Sequence, residues 1–148
     1  MKRNIAIILV ILLAVGAYIG YSMFNKKHIN VEDTKPEVSL SAADLFTAFE
    51  NDETASMEKY ADKVIAVSGD IYNVDLSNNL EPQLVLEANG DNGFIRCGFK
   101  TEELNKVKDL QPGMAIELKG ECKGMNAPEG LDLLADIDVV LSNCIIID

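Results

Sequence analysis

Two stretches of the sequence place a glycine in the row of residues that must face a core. Alternate residues of a strand share one face. In "KVIAVSGDI" (63–71), Ile65, Val67, Gly69 and Ile71 therefore line up together, and in "PGMAIELKGEC" (112–122), Met114, Ile116, Leu118 and Gly120 do the same. A residue without a side chain belongs in such a row where a strand coils tightly enough to serve both halves of a closed barrel. There it admits a bulge and keeps the barrel axis uncrowded. The period-two pattern predicts strands at 63–75, 83–88, 94–99 and 114–124, and a fifth over much of 131–147. The fifth is expected to bend near Ser142-Asn143, where the apolar parity slips. Between the third and fourth, "TEELNKVKDL" (101–110) reads as a short helix with Thr101 as cap and Leu104, Val107 and Leu110 as its apolar edge. Five strands with a helix in that position make a mainly β chain, a five-stranded Greek-key OB-fold barrel. An SH3-like barrel, the nearest competitor, lacks the helix.

Helical spacing precedes the strands. Ser41 and Asp44 approximate a capping box, and Ala42, Leu45, Phe46 and Phe49 fall on one face. The helix should break near Asn51, with a second, short one starting at Thr54 and turning Met57 and Tyr60 inward.

Ahead of this lies "IAIILVILLAVGAYIGYSMF" (5–24), 20 residues without a charge, about the span of a bilayer's hydrocarbon core. Lys2 and Arg3 precede it, Lys26 and Lys27 follow, and Tyr18 and Tyr21 lie towards its far end. A cleaved signal peptide would use Ile5 to Leu13 as its apolar region and Ala14-Val15-Gly16 as its cleavage site. The run continues well past that site, which favours an uncleaved transmembrane helix. The chain thus divides into an anchor (1–24), a polar linker (25–39) and an OB-fold domain (40–148). Basic residues nearly balance across the span. The short basic tail before it places the protein as a single-pass membrane protein with its C-terminal domain on the periplasmic side.

From residue 38 onward there are 8 Lys and Arg against 21 Asp and Glu. Such a charge favours solubility and repels phosphate backbones and anionic lipid. The widely spaced cysteines, Cys97, Cys122 and Cys144, form no CxxC, and the single histidine, His28, stands apart from the domain. A zinc site is therefore not expected. The cysteines read either as buried thiols or as one disulfide with an odd thiol. No GxSxG, Walker-type loop or HExxH occurs, so neither catalysis nor a cofactor is expected. Asp132, Asp136 and Asp138 alternate along a strand instead of forming a calcium loop, and read as a solvated strand edge.

OB-folds that bind single strands use aromatic platforms in a positive groove. Parity places Ser68, Asp70 and Tyr72 of the first strand, Val85 and Glu87 of the second, and Phe94 and Arg96 of the third on the outward face. Tyr72 and Phe94 are the candidate platforms and Arg96 the candidate cation. Asp70 and Glu87 oppose a nucleic-acid ligand, and Glu87 is placed to pair across strands with Arg96. Tyr72, Val85 and Phe94 make a small apolar centre ringed by charge, suited to a modest protein contact.

The runs "LSAADLFTAFENDETASMEKYADKVIAVSGDI", "IRCGF", "LQPGMAIELKGECKG" and "VVLSNCIIID" resemble the tRNA-anti-like family of bacterial OB-fold proteins over roughly residues 39 to 148. The resemblance is specific in the helix-Asp52-Glu53-helix-Tyr60-Lys63 run, in Gly69 and in the Gly113…Gly120-x-Cys122 spacing. The stretch "MNAPEGLDLLAD" departs from the family by its length. The resemblance implies an OB-fold behind a membrane or lipoprotein segment, and its name suggests nucleic acid only through analogy with anticodon-binding domains. The expectation is a membrane-tethered module of the cell envelope that binds a protein, peptide or oligosaccharide without catalysis. The alternative is a single-stranded nucleic-acid-binding domain.

Overall fold

The computed structural model describes residues 15–17, 30–90, 93–126 and 137–147. The elements run β1 (Val38–Ser41), α1 (Ala42–Asn51), α2 (Glu53–Tyr60), β2 (Val64–Asp75), β3 (Gln83–Asn89), β4 (Gly93–Phe99), a 3-10 turn (Thr101–Glu103), α3 (Leu104–Val107), β5 (Ala115–Asn126) and β6 (Ile137–Ile146). β2 to β6 form the closed barrel: the sheet order is β1-β2-β3-β4-β6-β5, and β2 pairs β5 to close it. β4 and β6 run parallel and the other barrel pairs antiparallel.

Among the described residues no helix is long and apolar enough to cross a membrane. The apolar run at 5–24 lies outside them except for 15–17, which is helical.

α1 turns its apolar face into the barrel, where Ala42, Leu45, Phe46 and Phe49 are buried. Large side chains buried this way are worth about 1.5–3 kcal/mol each. Ser41 caps the helix, its Oγ accepting from the Asp44 amide at 3.0 Å. Asp52 then serves two helices. Its N–H reaches the Ala48 carbonyl at the end of α1, and its Oδ1 accepts from the Ala55 amide to start α2. Tyr60 is buried as expected, whereas Met57 lies on the surface, its sulfur over Gly124 of β5. A Cβ on Gly124 would stand 2.5 Å from that sulfur, so the missing side chain is what lets the thioether pack on β5.

The two glycines of the apolar rows have different local reasons. A Cβ on Gly69 would stand 2.9 Å from the Ala42 Cβ, so the glycine admits helix α1 against β2. The β2–β5 ladder is continuous there, without the expected bulge. At Gly120 the bulge is present between β5 and β6, and an added Cβ would meet the Cys144 Sγ at 2.6 Å.

Two features were not expected from the sequence. β1 pairs parallel with β2, Val38 opposite Ile65. Residues 30–37, within the expected linker, lie against the barrel. Val31 is buried, the Lys119 Nζ donates to the Glu32 and Thr34 carbonyls at 2.8 and 3.1 Å, and the Glu37 amide donates to Val64 O.

Candidate functional site

The outer face of β3, β4 and β6 gathers the chemistry. The pairing of Ile71 with Leu86 and Asn73 with Val85 leaves Tyr72 as the extra residue of a bulge in β2. A bulge re-aims its side chain, and here the Tyr72 ring leans on Phe94, centroids 4.7 Å apart at 44°. Tyr72 remains 57% exposed and Phe94 only 4%. The two expected platforms are thus one: Phe94 supports and Tyr72 is offered. Val85, half-buried, lies opposite Arg96, and Glu87 lies opposite Phe94.

Arg96 does not pair with Glu87. Its Nε donates to Asp138 of β6, and its Nη1 reaches the Gln83 Oε1 at 3.4 Å. Asp138, read from the sequence as part of a solvated edge, is 1% exposed. Asn126 Nδ2 approaches its other oxygen at 3.5 Å. A buried carboxylate requires such partners. Asp132 and Asp136 lie outside the described residues.

Further along the same face, β6 carries an extra residue. Cys97 pairs with Leu141 and Phe99 with Cys144, so Ser142 and Asn143 together face Gly98. Asn143 takes φ +53°, a left-handed conformation that asparagine tolerates better than most residues. The bulge on one strand and the bare glycine on its neighbour open a cleft of about 400 Å³, within the size range of small-ligand sites. Gln83, Arg96 and Val140 line it beside these residues, Leu80 and Glu81 border it from the β2–β3 loop, and Lys100 and Glu102 from the turn after β4. Leu80 is exposed, and the Thr101 hydroxyl donates to its carbonyl. The Ser142 Oγ is buried without a hydrogen-bond partner.

Of the residues singled out from the sequence, Tyr72, Val85, Glu87, Phe94 and Arg96 do share this face. The cleft residues Gly98, Ser142 and Asn143 were not singled out as site residues, Ser142-Asn143 having been read only as a bend. Their signals were a glycine in the outward row of "FIRCGF" and the parity slip at Ser142-Asn143.

All three cysteines are buried free thiols. Burial pushes the Cys144 thiol well above the usual thiol range, and the Cys97 thiol beside it adds to the shift. Burial also raises Cys122. These groups belong to the core. Among the described residues no cluster of three or more His, Cys, Asp or Glu is placed to hold a metal ion.

A family model described as tRNA_anti-like matches residues 1–143. No curated protein matches the chain. Among solved structures, a candidate nucleic acid-binding lipoprotein from Klebsiella pneumoniae aligns with TM-score 0.57 at 14% identity, over 74% of this chain and 91% of that one. A candidate aspartyl-tRNA synthetase from Leishmania major aligns with TM-score 0.47 at 10% identity, over 77% of this chain but 21% of that one. The Entamoeba histolytica asparaginyl-tRNA synthetase gives TM-score 0.38 at 20% identity, over 58% and 21%. The chain thus spans about a fifth of either synthetase. At 14% identity the likeness to the Klebsiella protein is one of fold.

Proposed function

This chain belongs to the tRNA_anti-like family, and from that premise we propose that it is a non-catalytic OB-fold binding module held at the membrane by residues 5–24. On this reading the barrel lies on the periplasmic side and receives its partner on the outer β3–β4–β6 face. One observation carries the proposal. Tyr72, lifted by its bulge and backed by Phe94, offers an exposed aromatic surface on that face beside a preformed cleft. An exposed aromatic on a rigid support is a common anchor of binding sites.

A second reading, single-stranded nucleic acid, is favoured by the likeness to the Klebsiella lipoprotein and by Arg96, two residues along β4 from Phe94. Electrostatics weigh against it. Arg96 is engaged by Asp138, Glu81 and Glu102 border the same cleft, and the domain carries far more acids than bases. Stacking on one platform is worth about 1–3 kcal/mol per base, which an opposing field readily offsets.

The test is a photo-crosslinking residue at position 72 of the full chain in cells, with position 58 on α2 as control. The proposal expects a discrete adduct from position 72 alone that survives nuclease. A nuclease-sensitive adduct supports the second reading, and no adduct at position 72 sinks both.

A further inference from the structure

We propose that the cleft beside Gly98 is a subsite for a neutral oligosaccharide, with Tyr72 as the ring on which one sugar stacks. This rests on the reading of the outer face as the ligand face, and narrows what that face takes.

Gly98 is the starting point. A Cβ built there would find nothing nearer than the Leu141 carbonyl oxygen at 3.8 Å, and its backbone is not left-handed. Gly69 and Gly120, by contrast, are each forced by a close neighbour. Nothing in the fold requires a glycine at 98. What its missing side chain leaves is the floor of the cleft. Ser142 lines the cleft as well, its Oγ closed off from solvent and without a hydrogen-bond partner.

The chemistry of the walls selects the ligand. Gln83 and Asn143 each present a donor and an acceptor on one planar group, which suits a hydroxyl that both gives and takes. Charge leans negative: Arg96 is held by Asp138, and Lys100 is outnumbered by Glu81 and Glu102. A phosphate chain therefore meets no net positive field. A peptide strand finds no edge to extend, because β3 and β4 each have neighbours on both sides. From Phe94 to Gly98 the strand advances about 13 Å, so a short oligomer spans both the Tyr72 ring and the cleft.

The experiment uses the full chain, ¹⁵N-labelled, in a sugar-free neutral detergent. It is titrated separately with N-acetylchitotetraose, maltotetraose and a dodecamer of deoxythymidine while backbone amide shifts are followed. The expected result is saturable shifts at Tyr72, Gly98, Ser142 and Asn143 with at least one tetrasaccharide. Gly98→Val should weaken that binding by about tenfold or more through occupation of the floor, with α1 amides unmoved as evidence of an intact fold. Tyr72→Ala, which leaves the cleft open, should also weaken it. No shift with either sugar, shifts elsewhere, unchanged affinity in Gly98→Val, or a response to the DNA alone overturns the inference. If both sugars fail while position 72 still crosslinks a partner, the face remains the binding face and only the oligosaccharide assignment falls.

Discussion

Gly98 and Gly120 flank the β6 bulge from its two neighbouring strands, one outside the barrel and one within. An alanine separates their roles. Gly120→Ala would place its Cβ within 2.6 Å of the Cys144 Sγ and 3.3 Å of the Leu141 Cβ, inside a core with nowhere to shift. The expected cost is about 1–3 kcal/mol. Gly98→Ala meets only an ordinary contact, the Leu141 carbonyl oxygen at 3.8 Å, and should stay within about 0.5 kcal/mol of the parent. Urea midpoints at constant m value read the difference, and equal losses at the two positions would contradict the division. Arg96 makes a second residue-scale case. Arg96→Met leaves Asp138 buried with only the long contact to Asn126. Because the Arg96 side chain is 41% exposed, the cost is expected at about 1–3 kcal/mol, not at the higher figure for a fully buried pair. Arg96→Met combined with Asp138→Leu should recover most of that loss. A double variant as unstable as the two losses summed would show that the residues are not coupled.

At the scale of elements, the strands and α1 were legible because each buries one face and so writes a period into the sequence. The bend at Ser142-Asn143 was legible as a break in that period. Phe94 shows where parity stops: it does point outward, but outward is not exposed once the Tyr72 ring covers it. Asp138 was misread for a related reason, since an alternating acid looks solvated until its partner, Arg96, arrives from 42 residues away in sequence. β1 and residues 30–37 were illegible because their side-chain signals are too short to form a period: Val38 and Leu40 alternate over only four residues, and Val31 is a single buried side chain. Lys119 of β5 adds a clamp on two carbonyls of that segment. Lys119→Ala should therefore loosen residues 30–37 while the barrel holds. Hydrogen exchange, followed by mass spectrometry, should quicken in peptides covering that segment, including the Glu37 amide bonded to Val64 O, with global stability lower by about 0.5–1.5 kcal/mol. Unchanged exchange there would mean that Val31 and β1 hold the segment without the lysine.

For the whole molecule the governing quantity is charge. The chain carries a formal −11, and the portion from residue 38 onward holds nearly all of its acids, 21 of 24. A compact body with such an excess repels itself, and that repulsion is felt over the Debye length, about 30 Å at 0.01 M salt and about 8 Å at 0.15 M. Raising sodium chloride between these two concentrations should therefore raise the thermal midpoint of the full chain in neutral detergent. A protein that held phosphate backbones would bind them most tightly at the lower concentration, where released counterions contribute most. Here the low-salt condition combines the weakest fold with the strongest repulsion of a polyanion. A fluorescent deoxythymidine dodecamer titrated at 0.01 M salt should show no saturable anisotropy change. Saturable binding that falls steeply by 0.15 M would mean that the outer face concentrates positive potential despite the acids around it. The single-strand reading would then displace the oligosaccharide one. A midpoint that fails to rise over the same interval would mean that the 21 acids are neutralised locally, as Asp138 is by Arg96, and that net charge is a poor guide to what this barrel excludes.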